Sequence, residues 1–151
     1  MPFFEQAVRR LKTGGQLGWS ISNTFLRSKF GRPLREFLGG TCSIQELVEF
    51  ENPKVYADAV TQIVLVQLTK AIKDEPCRHV WVCGNPDLRD ALEAVQGQGA
   101  SVDVNLEVHQ LSKNSLCGSD WRLSTDTSKL DAHVGKSRTP KELEFKSRKV
   151  S

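Results

Sequence analysis

Little in this sequence suits a secreted or membrane-spanning protein. Its four cysteines, Cys42, Cys77, Cys83 and Cys117, are too few and too scattered for a disulfide framework. The opening Met-Pro-Phe-Phe-Glu carries neither the basic nor the apolar region of a signal peptide, so a cytoplasmic protein with reduced thiols is expected. No apolar run approaches the roughly 20 residues that a bilayer span needs, and the best, Ile63 to Val66, is strand-sized. Charge of one sign is also scarce. A net +3 permits a polyanionic partner without pointing to one. There is no internal repeat.

The apolar residues are unevenly spread. Most of the long apolar runs fall within residues 1–70, whereas 111–151 are mainly Ser, Thr, Lys, Arg and Asp, which predicts a compact front and a poorly ordered back. Phe4, Ala7, Val8 and Leu11 recur at helical spacing before a Gly14-Gly15 stop. Gln16 to Ser22 reads as a strand with Leu17, Trp19 and Ile21 on one face. A second helix is predicted over Gly31 to Leu38, with Pro33 in its first turn and Gly39-Gly40 ending it. Strands follow at Ile44 to Phe50 and at Gln62 to Thr69, the latter β-branched enough to be buried on both faces.

Beyond Lys70 the pattern weakens. His79 to Cys83 reads as a strand, Asn85 as the cap of a helix with Pro86 at its first position, and Val102 to Val108 as an alternating strand. Nothing is assigned after Trp121.

Several tempting motifs fail on chemistry. Asn52-Pro53-Lys54-Val55 and Asn85-Pro86-Asp87-Leu88 read as a turn and a cap, and Gly97-Gln98-Gly99 follows a helix rather than a strand. Cys77, His79 and Cys83 suggest zinc, but on a strand rising about 3.3 Å per residue the two sulfurs lie roughly 20 Å apart. Zinc needs its thiolates at about 2.3 Å. His109 and His133 have no recognisable partner. Arg27, Lys29, Arg32 and Arg35 form a basic cluster that could contact phosphate, although a solvated helix face is the simpler expectation.

In series, these segments resemble adenine-specific DNA methyltransferases of restriction–modification and phage-defence systems. The similar passages are Leu11-Lys12-Thr13-Gly14-Gly15 with its strand, Ser22-Asn23-Thr24-Phe25-Leu26, Leu34-Arg35-Glu36-Phe37-Leu38, Ile44 to Phe50, and Lys54-Val55-Tyr56-Ala57-Asp58-Ala59 before the apolar strand. Ser22 stands where the family usually has Pro, and Tyr56 where it usually has Phe. The resemblance implies an α/β fold. It would be a partial Rossmann-like methyltransferase sheet, holding the last three strands with the final pair antiparallel, and a less ordered C-terminal region.

Three regions follow from the resemblance: residues 1–70 as the C-terminal half of the catalytic domain, 71–126 as a small α/β extension leading toward a target-recognition region, and 127–151 as a disordered tail. Tyr56 would stack on a flipped adenine, and DNA would be the partner. The S-adenosylmethionine pocket and the Asn-Pro-Pro-Tyr loop precede the similar stretch in that family, so this chain alone is expected to bind no cofactor and to carry no catalytic or metal-binding residue. The expectation is an inactive fragment that lacks an N-terminal half or partner subunit, with an apolar strand edge exposed at Gln16–Ser22. The alternative is a noncatalytic DNA-binding or scaffold subunit that needs a partner chain. Loss of pattern after Asp126 would suit a frameshifted or truncated gene.

Overall fold

The computed structural model describes residues 2–51, 62–98 and 103–123. Its elements run α1 (Pro2–Arg10), β1 (Gln16–Ser22), α2 (Thr24–Arg27), α3 (Arg32–Thr41), β2 (Ser43–Phe50), β3 (Ile63–Thr69), β4 (Cys77–Val82), α4 (Leu88–Val95) and β5 (Leu106–Leu111). Single 3₁₀ turns occupy Lys29–Gly31 and Lys113–Leu116.

One mixed five-stranded sheet, in the order β1-β3-β2-β4-β5, organises the molecule. β3 inserts between β1 and β2 and is antiparallel to both, so the expected antiparallel final pair is present. β4 lies parallel to β2 on its far side, and β5 closes that side antiparallel to β4. The segment after residue 70 therefore extends the same sheet.

Strand alternation sorts the side chains into two cores. On one face Val8, Leu38, Leu47, Val66 and Leu68 pack beneath α1 and α3, joined by Leu116, Trp121 and Leu123 from the end of the described chain. On the other, Val48, Phe50, Val80 and Val82 meet Ala91 and Val95 of α4. The apolar side of α1 is anchored by Phe4, whose ring lies 5.7 Å from that of Trp19 and 6.3 Å from that of Phe25. The Lys70 ammonium caps the carboxyl end of α1, donating to the carbonyls of Arg9 and Leu11 at 2.7 Å each.

Several element boundaries differ from the sequence-based expectation: α2 forms where a loop is expected, and β4 runs Cys77–Val82 rather than His79 to Cys83. α3 does not stop at Gly39-Gly40 but runs through to Thr41, and the Cys42 N–H still reaches the Leu38 carbonyl at 2.8 Å. Gly39 serves packing instead: a Cβ there would sit 2.5 Å from the Leu116 carbonyl oxygen, so only glycine lets the second 3₁₀ turn lie against the helix. α4 is capped by Asp87 rather than Asn85, its carboxylate accepting the Arg89 N–H at 2.9 Å, and Pro86 lies before the cap. A carboxylate complements the helix dipole better than an amide does. β5 begins later than expected and continues to Leu111, with Val108 46% exposed at the sheet's outer edge. Val102, Gly99, Asn52-Pro53, Tyr56, His133 and the 127–151 tail lie outside the described residues.

β1 forms the opposite edge. The Asn23 N–H donates to the Gln62 carbonyl and the Lys70 N–H to the Gly15 carbonyl, which fixes the phase of the β1–β3 ladder. Because hydrogen-bonded pairs alternate in an antiparallel ladder, the backbone groups of Gln16, Gly18, Ser20 and Ser22 turn to the outer side. No described residue forms a strand there. Gln16, Gly18 and Ser20 are exposed, whereas Leu17, Trp19 and Ile21 are half-buried against the core, so the free edge is polar rather than apolar.

Candidate functional site

The register brings Ser22, Phe50, Ile63 and Val82 to one end of the sheet. This is the carboxyl end of β1, β2 and β4, the end at which open α/β sheets usually hold ligands. The turn after β1 and the turn after β4 both lie here, and the chain also leaves β2 here.

The turn after β1 is held from three directions. Ser22 and Thr24 join hydroxyls at 2.9 Å, and the Asn23 amide donates to the Gln62 side-chain oxygen at 3.0 Å. Arg27, in α2, makes a two-point contact with Glu49 of β2: Nη1 to Oε2 at 2.6 Å and Nη2 to Oε1 at 2.9 Å. Glu49 is fully buried and also meets His79 Nε2 at 2.9 Å. Burial pushes the Glu49 carboxyl up, but the hydrogen bonds from His79 and Arg27 and the charge of Arg27 outweigh it and hold the group below the usual carboxylate range. With Glu49 ionised, the imidazole proton facing it sits on Nε2. His79 Nδ1 is buried without a hydrogen-bond partner among the described residues.

Arg35 works from beneath the same turn. It is 3% exposed, and its guanidinium donates to the carbonyls of Phe25, Ser28 at 3.0 Å and Ser119 at 2.5 Å. Gly31 crosses the chain so closely that a Cβ would lie 2.1 Å from the Phe25 carbonyl oxygen. The Ser28 hydroxyl accepts the Gly31 N–H at 3.1 Å. Polar groups are buried here to fix a backbone shape, and Arg35 is hydrogen-bonded to backbone carbonyls.

The basic cluster read from the sequence thus divides in two. Arg27 and Arg35 turn inward, onto Glu49 and onto backbone carbonyls. Lys29 and Arg32 remain exposed, Arg32 with a surface contact to Asp120 at 3.2 Å. Sequence reasoning passed over Phe30, which stands between them 97% exposed. The signal was available as Lys29-Phe30-Gly31-Arg32, an aromatic flanked by two cations. It also missed the Glu49–His79 contact. A carboxylate in an otherwise apolar strand end, Leu47-Val48-Glu49-Phe50, was the available clue.

Gly84, with φ +74°, opens the turn from β4 to α4, but its N–H is taken by Glu51 Oε2 at 2.6 Å. The amino end of α4 is already filled by the Asp87 carboxylate. A cofactor-binding turn would leave such donors to the ligand. Among the described residues no group of three or more His, Cys, Asp or Glu side chains could hold a metal ion, and no helix is long and apolar enough to cross a membrane.

Residues 1–56, covering α1 to β2, match the model of the Eco57I restriction-modification methylase family. The type II restriction enzyme and methyltransferase RM.Eco57I of Escherichia coli is 29% identical over 72 residues, which are 48% of this chain and 7% of that protein. The type IIG restriction endonuclease BpuSI superposes with a TM-score of 0.56 at 14% identity, over 76% of this chain and 14% of that one. A modification subunit of a putative type I restriction enzyme from Vibrio vulnificus gives 0.55 at 11% identity, over 85% and 33%. The chain spans less than a tenth of the curated relative, and at these identities the two structures speak for the fold alone.

Proposed function

We propose that this chain is a noncatalytic part of a site-specific DNA adenine methyltransferase, inactive until joined to the half that binds S-adenosylmethionine and carries the Asn-Pro-Pro-Tyr loop. The observation that carries this reading is the restriction-modification methylase match over residues 1–56, the stretch that builds α1 to β2. Two features of the structure support it. The outer edge of β1 offers the alternate backbone groups of Gln16, Gly18, Ser20 and Ser22, which is the template a further strand needs. The described strand-to-helix turn at Gly84 has its donors occupied by this chain's own carboxylates, which agrees with a cofactor pocket on another segment.

In the assembled enzyme the carboxyl end of this sheet faces DNA, Lys29 and Arg32 meet phosphates, and Tyr56 stacks on the extruded adenine. The buried Arg27–Glu49 and Arg35 contacts keep that end in shape. Reading the DNA upstream of the Met1 codon tests the proposal. A frame, open or interrupted, that encodes a glycine-rich turn followed by Asn-Pro-Pro-Tyr or Asn-Pro-Pro-Phe is the expected result. Upstream DNA encoding an unrelated protein would overturn the account of a divided methyltransferase.

A further inference from the structure

The 3₁₀ turn at Lys29–Gly31 presents a fully exposed aromatic ring on a rigid support, and the fold has no use for that ring. Phe30 is 97% exposed and contributes to neither core. The residues on either side are fixed by unusual means: a buried arginine holding the carbonyls of Phe25 and Ser28, a serine hydroxyl holding Gly31, and a glycine where any Cβ would strike backbone. A flexible loop could tolerate an exposed Phe by chance. Here three separate contacts define the direction in which it projects.

Its surroundings are cationic. Lys29 precedes it, Arg32 follows Gly31, and the Arg27 side chain, 30% exposed, lies at the base of the turn with its guanidinium on Glu49. Glu49 already neutralises Arg27, and Arg32 pairs only with Asp120 among the described residues, through side chains 52% and 72% exposed. Such a surface pair contributes little and is readily exchanged for a phosphate. An exposed aromatic ring flanked in sequence by two exposed cations suits nucleic acid, where bases stack on rings and phosphates flank them.

We propose that Phe30 is a base-stacking residue that takes an unpaired base of DNA, with Lys29 and Arg32 on the neighbouring phosphates and Arg35 as the positioning residue that sets the turn. This rests on the reading of the chain as part of a DNA-acting enzyme and names a contact distinct from Tyr56.

The test uses the full chain and a fluorescein-labelled DNA duplex carrying one unpaired 2-aminopurine, followed by anisotropy and by 2-aminopurine emission. The native chain is expected to bind and to quench the 2-aminopurine. Phe30→Ala is expected to bind roughly ten-fold more weakly and to leave the emission bright, while Phe30→Trp keeps the quenching. Lys29→Gln should lower the slope of log affinity against log salt by about one, whereas Phe30→Ala leaves that slope unchanged. Equal binding and equal quenching by Phe30→Ala overturn the proposal. So does a native chain that dimerises in sedimentation while Phe30→Ala is monomeric, since the ring would then serve self-contact. A chain that binds no DNA also overturns it, while the methyltransferase reading is judged separately by the upstream frame and by methyl transfer from the joined polypeptide.

Discussion

Arg27 donates two hydrogen bonds to the fully buried carboxylate of Glu49, pinning the turn after β1 to the end of β2. His79 supports the same carboxylate from β4, so three segments distant in sequence converge on one buried charge. Arg27→Ala leaves that charge with a single partner. The expected loss is about 3 kcal/mol, toward the lower end for broken buried pairs because Arg27 is partly exposed. Urea unfolding measures it, and adding Glu49→Gln to the arginine variant should restore part of the loss.

The same carboxylate makes stability depend on acid. Its folded pKa lies below the unfolded value of about 4.3. Its contribution is therefore fully present above that value and is lost as pH falls through the lower folded pKa. The urea midpoint should drop as pH falls below about 4.3 in the native chain and flatten in Glu49→Gln. An unchanged profile in that variant would show that Glu49 does not dominate the acid response.

Two adjacent helical glycines should respond in opposite directions. Nothing lies within 4 Å of a Cβ built on Gly40, so Gly40→Ala is expected to stabilise by about 1 kcal/mol through helix propensity. Gly39→Ala meets the Leu116 carbonyl and should destabilise by about 2 kcal/mol, as overpacking does. Thermal melts of the two variants side by side decide the matter.

Thiol labelling should follow burial. Burial pushes the Cys42 thiol up to about 11 and the Cys77 thiol up to about 12, with Glu46 adding to the latter. Cys117 is exposed. At about pH 8, iodoacetamide is expected to modify Cys117 first and to reach Cys42 and Cys77 only after denaturation, because the thiolate is the nucleophile. Mass spectrometry of timed digests follows each site.

What was legible in the sequence was local and periodic. β1 was read to its observed bounds because Leu17, Trp19 and Ile21 alternate with small and polar residues. The β-branched run of β3 declared a strand buried on both faces, and it lies in the middle of the β1-β3-β2 set. Gly39-Gly40 misled because two glycines resemble a helix stop, and only the distant Leu116 carbonyl explains why Gly39 stays helical. Arg27 and Arg35 were grouped with Lys29 and Arg32 because all four are cations in one short stretch. The inward turn of Arg27 depends on Glu49 and the burial of Arg35 on distant carbonyls such as that of Ser119, which no local pattern reveals. Phe30 was overlooked for the converse reason: an aromatic is ordinarily assigned to the core, and its exposure is a property of the turn that carries it.

Methyl transfer measures the central claim most directly. Tritiated S-adenosylmethionine and DNA should be incubated with this chain alone and with the same chain joined to the polypeptide encoded upstream. The account predicts no labelled DNA from the chain alone and N6-methyladenine from the joined polypeptide. Labelled DNA from the chain alone, or a folded joined polypeptide that transfers nothing to adenine, would contradict it.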